Sequence, residues 1–254
     1  MADSDAVILN ADARQSPSSS VTSHGNHFAV VLLSGGMDSA ACAVWAARAY
    51  ERARVMALWI DYGQPNRDQE GVAAESIARR VGLRFVRSRA MGLVAVGRLA
   101  DAAPSESGAS QAFIPARNPW LLSIAANHAA VEWPGAAIDL WIGATLDDAV
   151  GFADCRAPFL NACAAMLSRA LGDHVRIVAP LVQMKKRDLV SRASQDRELL
   201  EALDLSWSCY RGTACGECAP CKLRNDAFRA NGLASHGDQR RGVMCGGDPH
   251  REAR

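Results

Sequence analysis

Aromatic side chains are scarce in this 254-residue chain: three tyrosines, six phenylalanines and six tryptophans make up 6% of it. An excess of charge of one sign is missing too, since 28 Lys and Arg stand against 27 Asp and Glu, a net of +1. A nucleic-acid-binding module needs a basic face and aromatic platforms, so both shortages count against that class. No run of 18 apolar residues occurs, so no membrane-spanning helix is expected. The first 26 residues, Met1 to Asn26, are rich in Ser, Ala, Asp and Asn and lack the apolar stretch of a secretory signal. They read as a disordered tail, and the chain is expected to be cytoplasmic. The remainder is ordinary globular composition, 49% hydrophobic and 22% charged. Its length suits one domain, or one domain with a small appended module.

Short apolar runs alternate with helix-like stretches. His27 to Leu33 is a nearly continuous apolar run that suits a strand buried on both faces. It ends in Ser34-Gly35-Gly36-Met37-Asp38-Ser39, and the alanine-rich stretch Ala40 to Arg52 follows with helix-forming character. Val55 to Ile60 is a second strand candidate, trailed by the loop Asp61-Tyr62-Gly63-Gln64-Pro65. Arg67 to Val81 reads as an amphipathic helix stopped by Gly82, and Leu83 to Val86 as a third strand. The small, polar residues 101–111 read as a mobile loop. A helix over Asn118 to His128, entered through Pro119, leads to a fourth strand over Ala137 to Gly143. Ala157 to Leu171 is a helix, Val175 to Val178 a strand, and Lys185 to Arg192 a further helix. This alternation predicts an α/β fold, a Rossmann-like parallel sheet with helices on both faces and ligands at the carboxyl ends of its strands. From about Trp207 the alternation gives way to cysteines and glycines.

The hexapeptide Ser34 to Ser39 sits between a strand and a helix. Its two glycines let backbone N–H groups approach an anion without a side-chain clash. The helix that follows presents its N-terminal N–H groups and positive dipole end to that anion. Ser34 and Ser39 add hydroxyl donors, while Asp38 suits a helix cap or a metal ligand. The Gly-Lys-Ser/Thr ending of a Walker loop and the third glycine of a dinucleotide fingerprint are both missing. A plain glycine turn with a capped helix is the competing reading.

Eight cysteines occur. In a reducing compartment they are not expected to pair as structural disulfides. Cys209, Cys215, Cys218 and Cys221 cluster with two overlapping CxxC steps, and four thiolates at that spacing close a tetrahedral shell around one structural Zn2+ per chain. An iron–sulfur cluster on three of them and a redox-active CxxC pair are the alternatives. Cys42 and Cys163 read as small core hydrophobes. Cys155 reads either as packed or as a thiol on the ligand side. His236, Cys245 and His250 fall in a C-terminal segment, 233–254, that reads as a disordered tail.

Ser34 to Ser39 resembles the pyrophosphatase loop of the N-type ATP pyrophosphatases, whose members adenylate a carbonyl oxygen and release pyrophosphate. Other strings resemble one branch, the 7-cyano-7-deazaguanine synthase family. Asp61-Tyr62-Gly63-Gln64 and Ile114-Pro115-Ala116-Arg117-Asn118 are two of them. Gly151-Phe152-Ala153-Asp154-Cys155-Arg156, Pro180-Leu181 with Lys185 and Lys186, and Ser208-Cys209-Tyr210-Arg211-Gly212 continue the match. The cysteine cluster and Arg224-Asn225-Asp226-Ala227-Phe228 complete it, so the resemblance runs collinearly from about Val30 to Gly232.

The resemblance implies an adenine nucleotide alpha hydrolase-like domain over 27–206 and a zinc-binding lobe over 207–232. It implies a ligase that converts 7-carboxy-7-deazaguanine and ammonia to the nitrile through an adenylated acid and an adenylated amide, with ATP and Mg2+. Leu33, Ser34, Gly35, Gly36, Met37, Asp38 and Ser39 are then expected at ATP, with Asp38, Arg117 and Lys185 as catalytic groups. Tyr62, Gln64, Arg117, Asn118, Asp148 and Asp154 are expected at the deazapurine acid. The family suggests a homodimer. The chain departs from the family pattern at Pro65-Asn66, where Arg-His is usual, and at Ala149, Val150, Phe152 and Ala153, where hydroxyl-bearing residues and a proline are usual. Two alternatives stay open, the first of them because of those departures. One is a ligase that joins the activated acid to another amine, including a protein amine. The other is a zinc-knuckle nucleic-acid-binding module that retains only ATP binding.

Overall fold

The computed structural model describes residues 26–92, 114–172, 174–210 and 212–235, together with the backbone of residues 7 and 8. The expected loop over 101–111, Arg211, most of the two expected tails, and His236, Cys245 and His250 lie outside the described residues.

Six parallel strands form one sheet in the order β1-β6-β5-β2-β3-β4. They are β1 (Val7–Ile8), β2 (His27–Leu32), β3 (Val55–Asp61), β4 (Arg84–Arg89), β5 (Ala137–Trp141) and β6 (Val175–Val178). The two-residue β1 forms one edge of the sheet, paired with β6 at Val7↔Ile177 and Ile8↔Val178, in a segment whose composition gave no strand signal.

Eight helices accompany the sheet among the described residues: α1 (Met37–Ala49), α2 (Arg67–Val81), α3 (Arg117–Glu132), α4 (Leu146–Gly151), α5 (Ala157–Leu171), α6 (Lys186–Ala193), α7 (Arg197–Leu205) and α8 (Ala219–Arg229). Successive residues of a strand face opposite sides, and β2 with the residue that follows it divides accordingly. Ala29, Val31 and Leu33 pack with α1, α2, α6 and α7 on one face. Val30 and Leu32 pack with α3 and α5 on the other. The expected two-sided α/β fold is thus present, and it is why the central strands β2 and β3 read as apolar runs without alternation.

Several boundaries match the sequence reading. Arg67–Val81 ends at Gly82 with φ 78°, Ala157–Leu171 has a proline in its first turn, and β6 spans Val175–Val178. Others move. The first helix begins at Met37 instead of Ala40, because Met37, Asp38 and Ser39 already form its first turn. Three helices, α4, α7 and α8, carry weaker signals. In α7, Asp196 accepts from the Leu199 N–H as an N-cap, and Leu199, Ala202 and Leu203 are its buried stripe. In α8, Ala227 and Phe228 join the main core, so the cysteine-rich segment is anchored to the domain rather than hanging from it.

The order of the sheet reverses at β2, which has β3 on one side and β5 on the other. In open α/β sheets the crevice outside such a reversal, at the carboxyl ends of the strands, takes the ligand. Ser34 to Ser39 begins there.

Candidate active site

The loop after β2 is tight because its neighbours leave no room for side chains. Gly35 has φ +90°, and a Cβ on it would lie 2.5 Å from the Glu70 carbonyl oxygen. Gly143, just beyond β5, presses on the first turn of α1, where a Cβ would sit 2.7 Å from the Asp38 carbonyl carbon and 2.8 Å from the Ser39 nitrogen. Gly36 is the N-cap of α1 and no side chain caps it, so the first N–H groups of the helix stay available to an anion. The Ser39 hydroxyl donates to the Gly36 carbonyl at 2.9 Å and lies 3.1 Å from the Ser34 hydroxyl. The expected ATP-contact residues Leu33 and Met37 pack their side chains into the apolar core, so they can offer a nucleotide only backbone.

Beside this loop stands a charged cluster. Lys186 Nζ donates to Asp38 Oδ2 at 2.6 Å and to Asp148 Oδ1 at 3.0 Å. The Lys186 backbone N–H donates to Asp147 Oδ2 at 2.7 Å. Asp148 also closes a capping box with Thr145 at the start of α4. Burial works against the Lys186 cation, but Asp38 and Asp148 outweigh it and hold the ammonium charged. Burial lifts the Asp38 carboxyl to about 6 even against the pull of Lys186. Its second oxygen, Oδ1, is buried with no hydrogen-bond partner.

Lys185, expected as a catalytic group, sits exposed at the N-cap position of α6. The residue brought to the loop is its neighbour Lys186, the first residue inside that helix. Adjacent lysines at a helix start point about 100° apart, and a sequence string does not say which one turns inward.

A cavity of about 190 Å³ opens between this loop and the ends of β3 and α3. Leu32, Leu58, Ile60, Leu121 and Ile142 give it apolar walls, while Tyr62, Gln64, Glu70, Arg117 and Asn118 supply polar groups. Arg117 enters from Ala116, whose φ of 57° makes it the one non-glycine in the left-handed region among the described residues. Such strain persists where surrounding structure enforces it, and here it starts α3 with the guanidinium turned to the cavity. Burial opposes the Arg117 cation, but Tyr62, Tyr210 and Asp154 more than offset it. Asn118 also donates its amide to the Asp154 carbonyl at 3.0 Å and to the Cys155 sulfur at 3.5 Å. Asp148 and Asp154 are not in the cavity lining. Asp148 serves Lys186 and Thr145, and Asp154 is buried in a 3₁₀ turn at 153–155 with Oδ1 unpartnered.

Glu70 went unnoticed in the sequence. Burial lifts its carboxyl to about 7, against donors from Gln64 and Asn66. Its signal was an acidic residue on the inward side of the first turn of α2, which resembles ordinary N-terminal charge placement.

The four cysteines of the cluster converge. Cys209, Cys215, Cys218 and Cys221 offer sulfurs that all lie within 4.8 Å of one another. Cys209 and Cys215 sulfurs are 3.5 Å apart, and Cys218 and Cys209 sulfurs 4.0 Å. A tetrahedron with about 2.3 Å metal–sulfur bonds has edges of about 3.8 Å, so the donor set fits a tetrahedral thiolate metal. Burial opposes the Cys215 thiolate, but the N–H groups of Cys218 and Glu217 and neighbouring thiols bring it down to about 6.

The family of the Queuosine biosynthesis protein QueC matches residues 28–232. The chain belongs to this family. The 7-cyano-7-deazaguanine synthase of Acidobacterium capsulatum is 37% identical over 219 residues, which cover 79% of this chain and 91% of that one. The 7-cyano-7-deazaguanine synthase of Methylobacillus flagellatus is 37% identical over 223 residues, 81% of this chain and 93% of its own. Among solved structures, the U34-tRNA thiolase NcsA of Methanococcus maripaludis covers 95% of this chain and 83% of its own at 17% identity and a TM-score of 0.46. No helix among the described residues is long and apolar enough to cross a membrane.

For a QueC-family chain, the departures fall in telling places. Val150 is 82% exposed, and none of Ala149, Val150, Phe152 or Ala153 lines the cavity. Asn66, by contrast, is buried at 4% exposure and bonded to Glu70.

Proposed function

We propose that this chain is an ATP-dependent carbon–nitrogen ligase that converts 7-carboxy-7-deazaguanine to 7-cyano-7-deazaguanine, with ammonia as the nitrogen donor. The observation that carries the reading is the Asp38–Lys186–Asp148 cluster, set at the uncapped N-terminus of α1 and beside the cavity that holds Tyr62, Gln64, Arg117 and Asn118. The family and its synthase relatives supply the reaction class.

The chemistry asks mainly for positioning and for cations that bear developing negative charge. A carboxylate oxygen of the substrate attacks the α-phosphorus of ATP and pyrophosphate leaves. Ammonia attacks the acyl carbon, AMP departs, and the nitrogen gives up a proton to leave an amide. The amide oxygen attacks the α-phosphorus of a second ATP and a second pyrophosphate leaves. When AMP leaves again, the nitrogen loses its remaining two protons and the nitrile forms. The N–H groups that open α1, with Ser34 and Ser39, hold the phosphates, and Lys186 balances the charge on departing pyrophosphate. Magnesium would shield the phosphate oxygens, and Asp38 Oδ1 is the atom free to hold it. Arg117 is the cation facing the substrate.

In this reading the ATP-handling domain spans 27–206 and the cysteine lobe 207–232 holds one structural zinc. The lobe is buried against α2 through Ala73, Trp207, Cys209 and Cys221, which suits a closed structural site rather than one that activates water. The protein works in the cytoplasm, as a homodimer. Mass spectrometry after incubation with ATP, magnesium, ammonium and 7-carboxy-7-deazaguanine tests the reaction. The nitrile with two AMP per product is expected. Amide alone would move the protein to the amine-joining alternative, and no AMP at all would overturn the reading.

A further inference from the structure

Glu70 is the one carboxylate that lines the cavity among the described residues, and the reaction just proposed gives it no part. Two side-chain amides hold it from behind. Gln64 Nε2 donates to Glu70 Oε2 at 3.0 Å, and Asn66 Nδ2 donates to Glu70 Oε1 at 3.0 Å. Both amides are locked. Gln64 Oε1 accepts from the Tyr62 N–H at 2.9 Å, and Gln64 Nε2 also reaches the Ile60 carbonyl at 3.2 Å. Asn66 Nδ2 shares itself with the Cys209 carbonyl at 3.1 Å. Gln64 and Asn66 are only 2% and 4% exposed.

A carboxylate offers about four lone-pair directions, two on each oxygen. The amides use one per oxygen, which leaves each oxygen an acceptor for a ligand. Side-by-side acceptors on a rigid carboxylate match side-by-side N–H donors on a planar ring, the same bidentate geometry that guanidinium groups use. The cavity, about 190 Å³, falls below the roughly 300–1,000 Å³ of drug-sized sites, so it suits one compact flat ring between Leu58, Leu121 and Ile142. An adenine ring presents a ring-nitrogen acceptor next to its amine and meets such a carboxylate poorly. A 2-aminopyrimidinone edge, with N1–H beside a 2-amino group, meets it with two donors.

We propose that Glu70, held by Gln64 and Asn66, is the specificity-determining residue of the cavity and takes the paired N1–H and 2-amino donors of the substrate's pyrimidine edge. The proposal rests on the deazapurine-acid reading above. It replaces Asp148 and Asp154, expected at the deazapurine acid, since Asp148 is taken by Lys186 and Thr145 and neither lines the cavity. It is also a feature of this chain's own loop, because Asn66 stands where the family pattern usually has histidine. An unpaired buried acceptor is costly, so a ring without the 2-amino group is rejected.

Calorimetric binding of 7-cyano-7-deazaguanine and of its analogue lacking the 2-amino group tests this on the full chain. The wild type is expected to prefer the 2-amino compound by at least about tenfold. Glu70→Gln brings that ratio toward one while KM for ATP stays as in the wild type. Glu70→Asp, which keeps the charge, retains part of the preference and guards against a Gln variant that misfolds. An undiminished preference in well-folded Glu70→Gln overturns the role of Glu70 and leaves the ligase reading standing. A wild type that binds neither compound overturns the ligase reading and the proposal with it.

Discussion

Lys186→Met removes the one cation that Asp38 and Asp148 share. The ammonium and its first partner are largely buried, with side chains 12% and 17% exposed, and it makes contacts at 2.6, 3.0 and 3.1 Å. Breaking a buried pair by deleting one partner costs about 3–5 kcal/mol, because it strands the opposite charge. Here it strands two like charges. Asp38 relieves part of this by taking up a proton, since burial already lifts it to about 6 and loss of Lys186 lifts it further. The lower figure, about 3 kcal/mol, is therefore the expectation, or roughly 6–12 °C in Tm for a domain of this size. The sign with pH follows. A carboxylate raised in the folded state is tolerated protonated and penalised when ionised, so the deficit is largest near about pH 8 and shrinks toward about pH 5. AMP formation should fall by about 10²–10³ if Lys186 carries charge in the transition state. Lys185→Met, one residue away and exposed, serves as the control and should leave both Tm and rate near wild type. Differential scanning calorimetry at the two pH values and a discontinuous AMP assay are the measurements. The reverse pattern, with Lys185→Met inactive and Lys186→Met active, would refute the assignment.

Gly143→Ala should lose both stability and AMP formation, since its Cβ would meet backbone atoms of Asp38 and Ser39 below 3.0 Å. Overpacking of that kind costs about 1–3 kcal/mol, and thermal melting with the AMP assay reads both losses. Ala116→Gly should raise Tm by relieving the left-handed backbone at φ 57°, worth about 1–2 kcal/mol, yet weaken substrate affinity because Arg117 is no longer pre-aimed. Stripping metal with a chelator should release one zinc per chain by elemental analysis and lower Tm by more than about 5 °C; a chain that keeps its melting point with the metal gone would remove the structural role. Glu70→Gln should flatten the pH dependence of stability. Glu70 is raised to about 7 from 4.5, so its favourable share is fully present below about 4.5 and is lost as pH rises through 7. Melting curves across that window, wild type against variant, check the slope.

The fold was legible because parallel strands covered on both faces must be apolar throughout. Val55 to Ile60 announces itself for that reason. The tight turn of Ser34 to Ser39 was legible because glycine is enforced there by close backbone approach, as at Gly35. What stayed hidden depends on distances across the chain. Nothing in the string Lys185-Lys186 says that Asp38, far earlier, points at the second lysine. Glu70 reads as a helix-start acid until α2 docks on Gly35 and turns its first turn to the cavity. The helix α8 was masked by its cysteines and proline, although Cys218-x-x-Cys221 is the spacing that puts a ligand before and inside a first turn.

The cysteine lobe also gains a meaning that spacing alone withheld. The Trp207 N–H donates to the Gly35 carbonyl at 2.8 Å, and its indole N–H donates to the Cys209 carbonyl at 2.6 Å. Asn66 meets that same carbonyl and carries the connection to Glu70. The backbone of one cysteine of the cluster is thus tied to the glycine loop after β2 on one side and to the cavity carboxylate on the other. A metal that fixes Cys209 fixes the distance between the two halves of the site. Its loss should raise KM for the deazapurine acid at temperatures where the chain remains folded, before any unfolding transition is reached. A metal-free chain with unchanged KM just below its own Tm would show that the lobe stabilises the domain without positioning the site.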